Sequence, residues 1–222
     1  MSADGEQAGV KVTVAPHPLL DLGGFTSSLP AELAALETPA WLRSLLAIDA
    51  PAPFARDELT RGRIRDLLRH GGYRPTGRGK PASEYLVKAA TEGALDSINV
   101  AVDVCNAVSL HSGLPISVVD LDCVNGPLQV DLGRPAENYV FNLAGHAIEL
   151  EGLVVLRDAD GPCANPVKDS QRTKTHAHTR RTLSLVWGSR ELGDRTEQVV
   201  SWYRRLLTDL GAATVGTVTV MA

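Results

Sequence analysis

A row of polar side chains on an otherwise apolar segment is the first place in this sequence where chemistry could sit. Asn99, Asp103 and Asn106 follow one another at i, i+4 and i+7, the spacing that sets side chains on one face of a helix. Their neighbours Ile98, Ala101, Val102, Val104, Cys105, Ala107 and Val108 are small or aliphatic, so the segment reads as a buried helix. A buried amide or carboxylate without a partner costs about 1–3 kcal/mol. The row therefore has a partner, either backbone or a ligand. A second concentration of chemistry runs through Asn165, Lys168, Asp169, Ser170, Arg172, Thr173, Lys174, His176 and His178. Loops held by a rigid scaffold collect binding chemistry, and the plainer alternative is an exposed, solvated connection. Amides, a lysine, an arginine and hydroxyls together suit an anionic or ester-bearing ligand.

Other chemistries are weaker on these residues. His176 and His178 lack the nearby Cys or Glu pattern of a zinc site, so no metal is expected, and nothing implies a cofactor. Cys105 lies in aliphatic company and reads as an inert core thiol rather than a nucleophile. No Gly-x-Ser-x-Gly elbow is present for a serine hydrolase.

These groups need elements to position them. The polar row lies on a helix that Ser97 is placed to cap and Gly113 to end. Ahead of it, Thr38-Pro39 opens a helix through Trp41, Leu42, Leu45 and Leu46, a second runs from about Asp57 to Arg69, and a third from Ser83 to Glu92. Residues 1–37 carry turn formers, with one short apolar run, Val10–Val14, suited to an edge strand. After Gly113 the pattern shortens into strands at 114–121, 127–132, 139–143, 147–150, 153–156 and 182–187, separated by Gly, Pro and Asn turns. Asp194 and Glu197 have capping-box spacing for a helix to about Leu210, and a last strand spans Ala213–Val220. The fold expected is α+β, a compact and mostly antiparallel β core packed against helices. Residues 1–75 form a mainly helical appendage and 76–222 the main domain.

Composition narrows the function classes. A net charge of −4 argues against a non-specific nucleic-acid coat, although Arg61, Arg63, Arg65, Arg69, Arg74, Arg78 and Lys80 cluster, as do Lys168, Arg172, Lys174, Arg180 and Arg181. For such runs a solvated face is the usual explanation. The glycine-rich, basic loop 73–81 suits phosphate but lacks the spacing of a P-loop. Three widely separated cysteines fit a reducing cytoplasm. No secretory leader and no run of the roughly 20 apolar residues needed to span a bilayer are seen.

The stretch Pro81–Gly188 resembles the B-three/B-four editing and tRNA-binding domain of the phenylalanyl-tRNA synthetase β subunit, which also occurs free-standing. The resemblance rests on Ser83-Glu84-Tyr85-Leu86, on Ser97-Ile98-Asn99 through Asp103 to Asn106–Leu110, on Gly113-Leu114-Pro115-Ile116 with Asp120-Leu121-Asp122, and on Ser170-Gln171-Arg172-Thr173-Lys174. It implies a deacylase that acts in trans on mischarged aminoacyl-tRNA, with tRNA as partner and the amino acid in a pocket. Such a second check has a physical motive, since a pocket gains only about 1–3 kcal/mol per methylene and cannot reject a near-isostere in one step. The chain departs from the family at three pocket positions: Cys105 replaces a threonine, Ser117 a histidine, and Trp187 stands near a glutamate. The expected site lies between the face of Asn99, Asp103 and Asn106 and the loop Asn165–Lys174, with Cys105, Ser117, Ser170 and Thr173 beside it. Lys168 or Arg172 is expected to stabilise developing negative charge, and Asp169 or His176 to orient water. The alternatives are an RNA- or amino-acid-binding module of the same fold without turnover, and hydrolysis of some other small ester or amide.

Overall fold

The computed structural model of the protein describes residues 10–214, 216 and 218–221. Its chain order is β1 (Lys11–Val14), β2 (Leu20–Ser28), α1 (Ala40–Ser44), α2 (Glu58–Arg69), α3 (Ala82–Thr91), α4 (Val100–Ser112), β3 (Ile116–Asp120), β4 (Leu128–Leu132), β5 (Asn138–Val140), β6 (Ala147–Glu149), β7 (Val154–Asp158), β8 (Gly161–Ala164), β9 (Arg181–Ser189), α5 (Arg195–Asp209) and β10 (Thr219–Met221). One sheet has the order β10-β1-β4-β7-β8, a second β2-β9-β3, and β5 and β6 form a hairpin. Pairing is antiparallel except where β1 meets β10 and β4. This is the α+β architecture with a mostly antiparallel core, packed against five helices. Among the described residues no helix is long and apolar enough to cross a membrane.

Strand β9 organises the core. Its inner residues Leu183, Leu185, Val186 and Trp187 are buried, and it pairs with β2 on one side and β3 on the other. Helices α4 and α5 pack on this sheet and on each other. Thr182-Leu183-Ser184-Leu185 alternates like a half-exposed strand, yet both faces of β9 are covered: Thr182 and Ser184 are buried and hydrogen-bonded to Ser27 and Tyr203.

The first 75 residues supply strands as well as helices. The apolar run at 11–14 lies between β4 and β10, and β2 pairs along its whole length with β9. Strand β2 is hidden in the sequence by Gly23-Gly24. A Cβ at Gly23 would stand 2.7 Å from Val200 on α5, and one at Gly24 would stand 2.7 Å from Leu185, so the glycines mark close packing and not a turn. The closing strand begins at Thr219, later than the expected Ala213, and residues 215 and 217 of that expectation lie outside the described residues.

At three helix starts the expected capping group bonds elsewhere: the Thr38 and Ser97 hydroxyls go to the Asp103 carboxylate, and the Asp194 carboxylate goes to a side-chain amide. Asn99, not Ser97, caps α4, accepting from Val102 N–H at 3.0 Å. Thr38 makes no cap to α1, and its hydroxyl donates to Asp103. Asp194 accepts from the Gln198 amide at 2.6 Å and not from the first turn of α5. The C-terminal end of α4 is as expected, with Gly113 left-handed at φ +75°. Gly113→Ala is expected to cost about 1 kcal/mol or a little more, since the new Cβ would also meet Thr60 at 3.2 Å. A urea midpoint unchanged from the wild type would contradict this.

Candidate functional site

Helix α4, strand β3 and the loop 165–175 enclose a cavity of about 350 Å³. Its apolar wall is Val102, Cys105, Ile116, Val118 and Val167, and its polar groups are Asn99, Asn106, Asn165, Lys168, Asp169 and Lys174. A somewhat larger hollow of about 410 Å³ lies between α2 and α3, but its charged lining is engaged elsewhere: Arg61 with Glu58 and Glu84, Lys88 with Glu92, Asp57 with the Thr60 N–H and Arg56 with the Ile48 carbonyl. The first cavity holds charges aimed inward.

The polar row on α4 divides its labour. Asn99 caps the helix. Asp103 is fully buried and takes three donors, Thr38 Oγ1 at 2.6 Å, Ser97 Oγ at 2.5 Å and Ile98 N–H at 2.8 Å. It ties the N-terminal segment and the turn before α4 to the helix. Asn106, half-buried among the wall residues, lines the cavity together with Asn99.

Loop 165–175 is built on Asn165. Its Oδ1 accepts from the N–H groups of Val167 (2.7 Å) and Lys168 (2.9 Å), an Asx-type turn, while its amide donates to Tyr139 Oη. Tyr139 Oη in turn donates to the Lys168 carbonyl at 2.6 Å. Ser170 N–H and Thr173 Oγ1 both donate to the Cys163 carbonyl, anchoring the far end on β8. The turn is fixed on both sides.

That frame places three charges. Asp169 Oδ1 accepts from Ser117 Oγ at 2.7 Å and more weakly from Asn165 N–H at 3.3 Å. Ser117 itself accepts from Trp187 Nε1 at 2.9 Å, so a buried indole–hydroxyl chain holds the carboxylate from below. Burial pushes the Asp169 carboxyl up to about 6, against the pull of those hydrogen bonds and of Lys174. Lys168 Nζ lies 4.1 Å from the centre of the Phe141 ring and 5.7 Å from that of Tyr85, a cation–π seat. Burial, together with Arg78 and Lys174, lowers its pKa. Lys174 Nζ donates to the Phe141 carbonyl at 2.5 Å, and burial lowers its pKa despite Asp169 nearby. A carboxyl pushed up to about 6 with Lys174 acting on it, and a second partly desolvated ammonium, Lys168, lining the same cavity, is an arrangement for acid–base and electrostatic work.

Other residues of the loop face elsewhere. Arg172 forms a two-pronged ion pair with the buried Asp158 at 2.8 and 2.9 Å. His176 stands outside the cavity against Asp120, bordering an adjoining groove of about 560 Å³ that shares Ile98 and Asn99 with the cavity. Ser170, Thr173 and Ser117 are buried supports. Cys105 is buried in the cavity wall, and burial pushes its thiol pKa up, the opposite of an activated nucleophile. The basic residues of α2 are largely paired, Arg65 with Glu84 and Arg69 with Asp66. Three aromatic residues outside the expected set of site residues, Tyr85, Tyr139 and Phe141, also belong to the site. Their part is to hold the loop and its lysine from α3 and the β5–β6 hairpin, contacts that no local spacing announces.

The sequence pattern of the B3/4 domain matches residues 76–188, just over half of the chain. An N-terminal fragment of the phenylalanyl-tRNA synthetase β-subunit from Pyrococcus horikoshii shares the fold, with a TM-score of 0.54 at 11% identity over all of this chain. The match covers 54% of that fragment, so this chain spans about half its length. The C-terminal domain of TILS is similar over 34% of this chain and 70% of its own, at 19% identity and a TM-score of 0.30. No curated protein sequence matches the chain.

Proposed function

The chain belongs to the B3/4 domain family, and from that membership and the side chains of its cavity we propose that it hydrolyses, in trans, the ester of a wrongly charged aminoacyl-tRNA. The observation that carries this reading is the meeting of Lys168, Lys174 and Asp169 at one cavity of about 350 Å³, a volume suited to an amino-acid side chain. The amino acid sits against Val102, Ile116 and Val118, with Asn106 at its side. The terminal nucleoside lies in the adjoining groove, and Arg78, close enough to depress the pKa of Lys168, meets the backbone phosphate.

Asp169 takes a proton from water as the water oxygen bonds to the ester carbonyl carbon. Lys168 and Lys174 stabilise the oxyanion that forms. Collapse breaks the bond to the ribose oxygen, which receives the proton and leaves as a hydroxyl. No covalent enzyme intermediate is required, consistent with an inert Cys105.

The test is ester loss from a panel of correctly and wrongly charged tRNAs, with Lys168→Met alongside. Selective hydrolysis is expected, reduced by about 10²-fold in the variant, the scale of one oxyanion donor. Equal rates with and without the protein across the panel would remove the hydrolytic reading. A second reading, binding of the same ligand without turnover, is favoured by Ser117 and Trp187 standing where the resemblance expects a histidine and a glutamate. It predicts retained tRNA binding with no ester loss.

A further inference from the structure

Away from the cavity, at the outer end of β3, Asp120, Cys123 and His176 present one carboxylate oxygen, one sulfur and one ring nitrogen within 4.8 Å of one another. His176 Nε2 lies 3.1 Å from Asp120 Oδ2 and 3.9 Å from Cys123 Sγ. We propose that these three side chains form a zinc site, with a fourth position open to solvent.

Geometry favours it. Two ligands on a tetrahedral zinc stand about 3.3–3.6 Å apart, from bonds of about 2.0–2.3 Å, and the observed separations bracket that span. Asp120 and Cys123 project from the two ends of the short 3-10 turn Leu121–Cys123. His176 is brought to them by the isolated bridge between Val119 and Lys174. Side-chain exposure rises from 1% at Asp120 to 51% at His176, so one side of the cluster is fixed and the other is accessible to an entering ion.

The surroundings are those of a ligand set. Asp120 Oδ2 accepts from Thr179 Oγ1 at 2.5 Å and Oδ1 accepts from Asp122 N–H at 2.8 Å, so the carboxylate is oriented from behind. Arg181 is engaged by Asp122, and Arg172 by Asp158. A carboxylate, a thiolate and a neutral imidazole balance the charge of a divalent ion, and sulfur with nitrogen selects zinc over magnesium or calcium. Binding has a defined proton cost. The thiol loses its proton to solvent, and the imidazole proton moves from Nε2 to Nδ1, ending the 3.2 Å bond that Nδ1 accepts from His178 N–H. One weak hydrogen bond in an exposed turn is exchanged for a metal bond. The pair His176 and His178 alone is uninformative because the other ligands lie more than 50 positions away, His176 being 53 from Cys123.

The experiment is cobalt and zinc titration of the tag-free, metal-stripped full chain. One equivalent of cobalt is expected, with near-ultraviolet thiolate-to-cobalt absorption and the visible bands of a tetrahedral ion, both displaced by zinc. Cys123→Ser should abolish the thiolate absorption. It and His176→Ala should each weaken zinc by more than the about ten- to hundredfold that loss of an outer-shell partner brings. Circular dichroism of both variants checks that they fold. Substoichiometric binding by the wild type, or thiolate absorption that survives Cys123→Ser, would overturn the site. Neither result depends on any hydrolytic activity.

Discussion

Asp169→Asn is expected to lower ester hydrolysis by about 10²–10⁴-fold, the range contributed by a positioned general base, while leaving the protein at least as stable as the wild type near neutral pH. The second half of that expectation follows from the sign of the linkage. The carboxyl titrates at about 6 in the folded protein, above its ordinary 3.8, so between those values the folded state binds more protons than the unfolded one. Stability on its account is full below about pH 4 and falls as pH rises through 6. The loss levels off at ~3 kcal/mol. An amide keeps the acceptor for Ser117 Oγ and Asn165 N–H but carries no charge to bury. Denaturation at about pH 4 and pH 8 should therefore show the variant gaining on the wild type only at the higher pH. Wild-type turnover should fall away below pH 6 as Asp169 becomes protonated. A variant that hydrolyses normally, or that loses stability most at high pH, would refute the role.

Asp103→Ala should have the largest effect on folding. The substitution strands three donors at a fully buried point, the hydroxyls of Thr38 and Ser97 and the N–H of Ile98. Each hydrogen bond to a charged acceptor is worth about 1.5–3 kcal/mol before the relief of carboxylate desolvation is counted, so a net loss of about 3–5 kcal/mol is expected. That is a large part of the 5–15 kcal/mol typical of a domain. Thr38→Val in the same background should add little, because the two residues share one interaction. A chemical-denaturation midpoint within experimental error of the wild type would show that Asp103 is not the tie between the N-terminal segment and α4.

The two substitutions separate roles that look alike in the sequence. Asn99, Asp103 and Asn106 are equivalent by spacing, yet one caps, one ties and one faces the cavity. Lys168 and Arg172 are both cations of the same loop, but Arg172 is held by Asp158 and Lys168 is held by aromatic faces. What distinguishes them is the partner each finds across the fold.

From the sequence alone came the features that depend on neighbours a few residues away. The buried helix between Ser97 and Gly113, its glycine stop, the short strands after it and the α+β class all follow from periodicity and backbone preference, which are local. The order of motifs from Ser83 to Lys174 carried the family. Only the tertiary structure decided which polar groups face the cavity, because that depends on pairings such as Trp187 with Ser117, 70 residues apart, and Thr38 with Asp103, 65 apart. Strand β2 belongs to the same class, since Gly23 makes sense only once α5 lies against it and Gly24 only once Leu185 of β9 does. Local preference is set by each residue's own backbone and side chain, whereas the roles of buried polar groups are set by whichever distant partner best relieves their desolvation.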